Sequence, residues 1–436
     1  MSKIIAESDV EEAMLELLKE LGYKVLNGPE IAPDGEHPER NSYADVVLVE
    51  RLENAIRYLN PQLTKDAVES VSRKITRLDN QEHIGRNYAF HKYLTDGVDI
   101  EYRRADGKVV GEHVNLFDFD NPEKNEFLAV NQFTIKENDK ERRPDILLFI
   151  NGLPVVIIEL KNPAEETATI WTAYDQVLGT YMKEIPTLFD YNEIVVISDG
   201  LDARAGTFTS GKEWFVEWKT INGNELKTKM SEIELLTRGM FGKDTVLNLI
   251  RHFIVFKHGR HSISKILAAY HQYNAVEKSI IATKKAVKSK DKRCGIVWHS
   301  TGGGKSFVMA FYAGKLALTK ELNNPTVIVL TDRNDLDDQL FDTFSGCQDI
   351  LRQTPIQAKD REDLKKHLNV ASGGIIFTTI QKFSLVHKLL LFGQNTEFMD
   401  RFMLCAENHS ATTLGLGRIL KRSGSFPIIS IRYDGC

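Results

Sequence analysis

Three glycines in succession, Gly302-Gly303-Gly304, stand between an apolar run that reads as a strand (GIVWH, 295–299) and a run of helical character that continues to about Thr319. A loop without Cβ atoms lets successive backbone N–H groups turn inward around an anion, and the following helix aims its own N-terminal N–H groups at the same place. Lys305 would reach the β- and γ-phosphates of a nucleotide, and the Ser306 hydroxyl is placed to ligate Mg2+. His299-Ser300-Thr301-Gly302-Gly303-Gly304-Lys305-Ser306 therefore predicts an ATP site, with Thr301, Gly302, Gly303, Gly304, Lys305 and Ser306 as candidate nucleotide-binding residues. The first position of the general phosphate-loop pattern, elsewhere glycine, is His299 here. A flexible glycine-rich turn is the alternative, and the strand before and helix after argue against it.

The same rhythm continues beyond the loop. TVIVLT (326–331) reads as a strand, DLDDQLFDTF (335–344) as a helix and GIIFTT (374–379) as another strand, an alternation that predicts a parallel sheet. A chain of 436 residues exceeds one ordinary core, so two or three domains are expected. Hydrophobic residues at 42% supply enough apolar side chain to rule out disorder as the main state. The net charge of −5 carries no nucleic-acid signal of its own, although local basic faces can be hidden in a mild total. Cys294, Cys347, Cys405 and Cys436 form no spaced cluster, which argues against a disulfide framework or a cysteine zinc site. The N-terminus lacks the apolar core of a signal peptide, and no apolar run is long enough to span a bilayer, so a cytoplasmic protein without membrane contact is expected.

Ahead of the loop, DVEEAMLELLKEL (9–21) has helical spacing that Gly22 stops, and two more helical stretches fall within 41–77. GVDIEYRR-ADGK-VVGEHVNLFDF reads as a hairpin, and FLAVNQFTI, DILLFI, PVVIIEL and EIVVIS read as strands, with a helical stretch, ATIWTAYDQVLGTYMKEI, between the last two. The order is mixed, so the first domain is expected to be α/β with a mixed sheet. Residues 220–290 read as mostly helical, and the lysines of ATKKAVKSKDKR as a solvated linker.

The segment from Arg143-Pro144-Asp145 to Glu159-Leu160-Lys161 can be read geometrically. Two apolar strands flank an Asn-Gly turn, a strong hairpin signal. A three-residue turn at Asn151–Leu153 sets Asp145 opposite Glu159, and Lys161, two residues on, shares their face. Two carboxylates and an ammonium then converge at the end of the hairpin, and the cluster is expected at one edge of the sheet. Asp145 and Glu159 suit Mg2+, which takes oxygen ligands, and Lys161 suits charge developing on a phosphate. As an isolated match the pattern would more often be a surface ion pair at a strand end. Its place on a hairpin, ahead of a nucleotide loop, points to a nuclease.

TVIVLTDRNDL and FTTIQKF resemble the two loops of a superfamily 2 helicase motor that touch the nucleic-acid backbone, and Tyr270-His271-Gln272-Tyr273 resembles its adenine-reading element, with Gln272 on the base. Together with DVEEAMLELLKELGYKVLNGPEIAPDG, YADVVLVERLENAIRYLNP, RRPDILLFINGLPVVIIELKNP, AYDQVLGTYMKEIP and VISDGLDARAGT, these segments are similar to the restriction (R) subunit of type I restriction-modification enzymes over about residues 5–385. The resemblance implies a PD-(D/E)xK endonuclease at 1–220, a helical connector at 221–290 and a partial RecA-like ATPase lobe at 291–391. It implies Mg2+-dependent cleavage of double-stranded DNA coupled to ATP-driven translocation, in complex with methyltransferase and specificity subunits. Asp145, Glu159 and Lys161 match its nuclease motif. Gln176 and Tyr181 resemble its accessory glutamine–tyrosine pair, except that they are five residues apart instead of four, and on an α-helix a separation of five rotates the second side chain away.

After FTTIQKF the family carries a strand ending in an Asp-Glu-Ala-His box. The nearest match is Cys405-Ala406-Glu407-Asn408-His409, without the aspartate and without an evident strand. FMDRFMLCAE reads at best as a short amphipathic helix, and only FPIISI offers strand character, so residues 392–436 are expected to be an atypical tail, out of frame or truncated, that packs poorly on the lobe. The alternative to a working enzyme is accordingly a fragment without a motor, binding ATP or DNA without productive turnover.

Overall fold

The Asn151-Gly152 turn organises the first half of the chain. Both residues have positive φ, 52° and 81°, the conformation of the tight hairpin turn that follows the right-handed twist of its strands. In the computed structural model the turn has two residues, not three: Ile150 pairs with Leu153 and Phe149 with Pro154. Val155 is then an extra residue, a bulge that shifts the register by one, and beyond it Leu148 pairs with Val156, Leu147 with Ile157 and Ile146 with Ile158. The tighter turn and the bulge cancel, so the register reaching Asp145 and Glu159 is the one the sequence predicts. The Val155 carbonyl freed by the bulge accepts the Glu193 N–H at 2.7 Å.

The structure describes residues 7–80, 82–104, 106–162, 169–224, 230–259, 262–290, 293–298, 302–331, 334–369, 372–382, 401–408 and 428–433. They fall into two compact units, Met1–Ile254 with His261–Tyr270, and Val255–Arg260 with His271–Cys436. The segment 221–290 is therefore shared between the units. It is less helical than its sequence suggests: the helices Glu232–Met240, Lys243–His252 and Tyr270–Lys288 are interrupted by the strands Ile254–His258 and Ile263–Leu267.

The first unit is built on a six-stranded mixed sheet in the order Lys24–Asn27, Phe127–Asn131, Ile146–Ile150, Leu153–Leu160, Ile194–Ser198 and Ala203–Gly206. The hairpin forms its two central strands, and every residue of Leu153–Leu160 is buried, which is why that strand reads as a continuous apolar run. Leu153–Leu160 and Ile194–Ser198 are parallel and need a crossover, which the helical stretch from Ile170 to Glu184 supplies. The helices Glu7–Glu20, Val49–Leu59 and Lys65–Thr76 form where expected, the first ending at Gly22 with φ 87°. A further helix, His83–Asp96, has no counterpart in the sequence reading.

In the second unit every strand pairing of the six-stranded sheet is parallel, in the order Arg293–Trp298, Ile428–Tyr433, Arg401–Asn408, Thr326–Thr331, Ile375–Thr379 and Ile356–Gln357. The tail thus departs from expectation. Arg401–Asn408 is a strand and not a helix, inserted beside Thr326–Thr331, and Ile428–Tyr433 joins it to the strand that leads into the glycine loop. Residues 392–400, 409–427 and 434–436 lie outside the described residues. The chain is α/β, with one mixed and one parallel sheet. No helix among the described residues is long and apolar enough to cross a membrane.

Candidate functional site

Asp145 and Glu159 lie at the ends of the two central strands, not at an edge of the sheet as expected. Asp145 is 7% exposed, and its Oδ2 accepts the backbone N–H of Leu160 at 2.7 Å, which ties the start of one strand to the end of the other. Glu159 is 1% exposed. Its Oε1 accepts the Lys161 ammonium at 2.9 Å, and the same ammonium donates to the Leu160 carbonyl at 2.8 Å. Lys161 is fixed at its backbone as well, its N–H donating to the Ser198 carbonyl of the neighbouring strand at 2.9 Å. The local alternation of the strand and the hairpin register are thus enough to bring the three side chains together.

The electrostatics of the cluster are unbalanced. Burial, and after it the charge of Asp145, push the Glu159 carboxyl up to about 8; Lys161 and the Tyr181 hydroxyl pull the other way and do not compensate. The second oxygen of Glu159, Oε2, is buried and has no hydrogen-bond partner. A buried carboxylate oxygen without a donor, beside a second carboxylate, is suited to a hard cation with oxygen ligands.

Gln176 and Tyr181 join the same cluster. The Gln176 side-chain amide donates to the Tyr181 hydroxyl at 2.6 Å, and that hydroxyl donates to Glu159 Oε1 at 3.3 Å. The α-helical geometry that would separate residues five apart does not apply, because Asp175–Tyr181 is a π-helix. Glu11 is a neighbour that the sequence did not disclose: its carboxylate accepts the amides of Asn131 and Gln132, each at 2.7 Å, and the Gln132 N–H donates to the Asp145 carbonyl at 2.9 Å. Glu11 sits on the polar flank of an amphipathic helix, where one glutamate looks like the next.

In the second unit the strand Arg293–Trp298 leads to the glycine loop, and the helix Lys305–Leu318 follows it. Gly302 and Gly304 have φ of 83° and 66°, conformations that favour glycine. Lys305 is buried at the first turn, and Ser306 follows it on the helix; Thr301 lies outside the described residues. Gln272 lies against the loop: its amide nitrogen donates to the carbonyls of Gly303 and Gly304, both at 3.3 Å. His271 Nε2 is also 3.3 Å from the Gly303 carbonyl, and burial holds its imidazole below the ordinary range. The strands Thr326–Thr331 and Ile375–Thr379 end level with one another, Thr331 opposite Thr379, so the two segments expected to touch a nucleic-acid backbone leave the sheet side by side. Asp332, Arg333 and Phe383 of those segments lie outside the described residues.

Residues 4–214 match the family model for the type I restriction enzyme R protein N terminus, and residues 271–423 match that of the SWI2/SNF2 ATPase. The type I restriction enzyme HindI endonuclease subunit of Haemophilus influenzae is 41% identical over 391 residues, 88% of this chain and 37% of that protein. The chain belongs to the R-subunit family of type I restriction enzymes. The putative type I restriction enzyme MjaIXP endonuclease subunit of Methanocaldococcus jannaschii is 37% identical over 406 residues, 88% of this chain and 38% of that protein. The SsaAORF53P endonuclease subunit of Staphylococcus saprophyticus is 28% identical over 284 residues. The chain spans a little over a third of the length of the first two relatives. The ATPase match continues to residue 423 and so includes the strand Arg401–Asn408.

Proposed function

We propose that this R-subunit chain carries a PD-(D/E)xK endonuclease that cleaves double-stranded DNA with Mg2+, followed by a RecA-like lobe that binds ATP. The cleavage is coupled to ATP-driven translocation in a complex with methyltransferase and specificity subunits. The observation that carries the nuclease reading is the cluster at the ends of the central strands: two buried carboxylates, a lysine just past the strand end paired with Glu159, and a carboxylate oxygen of Glu159 with no partner.

Asp145 and Glu159 are the residues that would hold Mg2+. The bound ion would supply Lewis-acid polarisation of the scissile phosphate and a more acidic water. The chain's own groups account for the rest. The Leu160 N–H fixes one oxygen of Asp145, and Lys161 and Tyr181 fix one oxygen of Glu159, so both carboxylates are held in defined orientations. The Lys161 side chain, held by Glu159 and the Leu160 carbonyl, would stand beside a phosphate that gains negative charge on the way to cleavage, and a preorganised cation there lowers the barrier without reorganisation. In the second unit, Lys305 and the amides of Gly302, Gly303 and Gly304 would cradle the phosphates of ATP, and Ser306 would ligate its Mg2+. Gln272 and His271 support that loop by engaging its outward carbonyls.

Nicking of supercoiled plasmid by the chain in Mg2+ tests the nuclease reading. Asp145→Asn and Glu159→Gln are each expected to reduce nicking by at least about 100-fold, and Lys161→Met by about 100- to 1000-fold. Folded Asp145→Asn and Glu159→Gln proteins that nick at the wild-type rate would remove the assignment.

A further inference from the structure

The crossover helix changes its winding beside Glu159. Asp175–Tyr181 is a π-helix set between the α-helical pieces Ile170–Tyr174 and Met182–Glu184. The Met182 N–H returns to the Val177 carbonyl, five residues back, whereas the Ile185 N–H just beyond returns to Tyr181, four residues back. Such widened turns are rare and gather at functional sites. On an α-helix, residues five apart are rotated by about 140° around the axis. Across the widened turn, Gln176 and Tyr181 instead meet at 2.6 Å, and Tyr181 reaches Glu159 Oε1 at 3.3 Å. Lys161 donates to that same oxygen. Two donors therefore hold Oε1, while Oε2, also buried, has none.

We infer that the widened turn is a register device that makes Tyr181 a positioning residue: it anchors one oxygen of Glu159 so that the other is presented to a divalent cation. The inference rests on the proposed role of Asp145 and Glu159 as cation ligands. Gln176 acts one step further back, orienting the Tyr181 hydroxyl. Gly179 lies within the turn, and a Cβ built there meets nothing within 4 Å, so the position has no packing duty. Removing Gly179 would shorten the turn by one residue and give Gln176 and Tyr181 the α-helical separation of four, which also places them on one face. The alignment survives the loss of the residue, although the π-helix does not.

The test is Mn2+ binding to the full chain, followed by the electron paramagnetic resonance signal of the free ion, with unfolding temperature measured on each variant. Tyr181→Phe is expected to bind Mn2+ about tenfold more weakly at unchanged stability, the size of one lost hydrogen bond to a charged group. Gln176→Ala should weaken binding in the same direction by less, and deletion of Gly179 should leave it within about twofold of wild type. Wild-type affinity in a folded Tyr181→Phe chain would reduce Tyr181 to a packing residue and overturn the inference; if that variant does not fold, wild-type affinity in Gln176→Ala overturns it equally. A folded chain lacking Gly179 that loses Mn2+ as Tyr181→Phe does would overturn the register argument. A wild-type chain that binds no Mn2+, or an Asp145→Asn chain that binds it normally, would overturn the cation reading and this inference with it.

Discussion

Lys265 and Glu193 form an ion pair with both side chains fully buried, Nζ to Oε2 at 2.8 Å. Lys265 also donates to the Asn192 carbonyl at 2.7 Å and to Asn87 Oδ1 at 2.9 Å, so its ammonium is saturated. Glu193 is less well served: His91 Nδ1 lies 3.0 Å from Oε2, and Oε1 has no hydrogen-bond partner. Burial pushes the Glu193 carboxyl up, and Lys265 and His91 together push it down further, leaving it below the ordinary range. Lys265→Met removes the nearer cation without leaving a cavity. The remaining carboxylate is then buried against His91 alone, and breaking a buried pair in this way costs about 3–5 kcal/mol. Glu193→Gln combined with Lys265→Met removes both charges and should recover most of that loss. Urea unfolding at pH 7, followed by tryptophan fluorescence, measures both, since Trp171, Trp214 and Trp218 lie in the first unit. The pH dependence has a definite sign. With a depressed folded pKa, the wild-type Glu193 contribution is fully present above the unfolded value of about 4.3 and is lost as pH falls through the folded one. In Lys265→Met the carboxyl loses its stronger neighbour and rises, so the deficit against wild type should shrink as the medium is acidified. A single variant within about 1 kcal/mol of wild type, or a double variant no more stable than the single, would refute the reasoning.

Gly152→Ala should destabilise the first unit by about 2–4 kcal/mol, read as a lowered unfolding temperature, because φ is 81° and the new Cβ would stand 2.5 Å from the Leu48 carbonyl oxygen. Gly304→Ala should weaken ATP binding by about tenfold in a fluorescent-nucleotide titration, since its Cβ would lie 2.3 Å from Gln272 Nε2 and push that amide off the loop carbonyls. The chain alone should bind ATP through Lys305 yet show little DNA-stimulated hydrolysis, because Ala406-Glu407-Asn408-His409 has no aspartate where the family box has one; strong DNA-stimulated turnover abolished by Lys305→Ala would contradict this.

The cluster of Asp145, Glu159 and Lys161 was legible because a single local hairpin creates it. Asn-Gly announces the turn, strand alternation sets the faces, and no distant residue is needed to bring the three together. The turn is one residue shorter than the spacing suggests, and the bulge at Val155 restores the register. Features that depend on distant partners left no such trace. The helix His83–Asp96 buries Asn87 and His91 among its inward residues, which erases the apolar periodicity that would reveal it. Those polar groups make sense only with the rest of the fold in place: the Asn87 amide donates to the carbonyls of Phe189, Asp190 and Asn192, and His91 meets Glu193. Tyr181 was misleading for a related reason. A separation of five from Gln176 is unfavourable on an α-helix, and the local winding of a helix is not written in spacing alone.

The strand Arg401–Asn408 is a stronger case of tertiary override. Arg-Phe-Met-Leu-Cys-Ala-Glu-Asn contains no β-branched residue, and Met, Leu, Ala and Glu are good helix formers, so local preference points away from a strand. Its neighbours impose the other answer. Val327–Leu330 offers one parallel ladder and Ile428–Ile431 the other, and a segment between two such strands has both rows of its backbone groups paired at once. The consequence reaches the glycine loop. Trp298, at the end of the strand leading into that loop, is level with Arg432, and Arg432 with Glu407, while Ala406 is level with Thr331. The backbone of Ala406-Glu407 therefore ends at the same edge of the parallel sheet as the glycine loop, and open α/β sheets bind their ligands outside that carboxyl edge. Once the strand is recognised, the weak sequence match around Glu407 lies on a strand that reaches this edge, and the missing aspartate is a difference in sequence on that strand and not a missing strand.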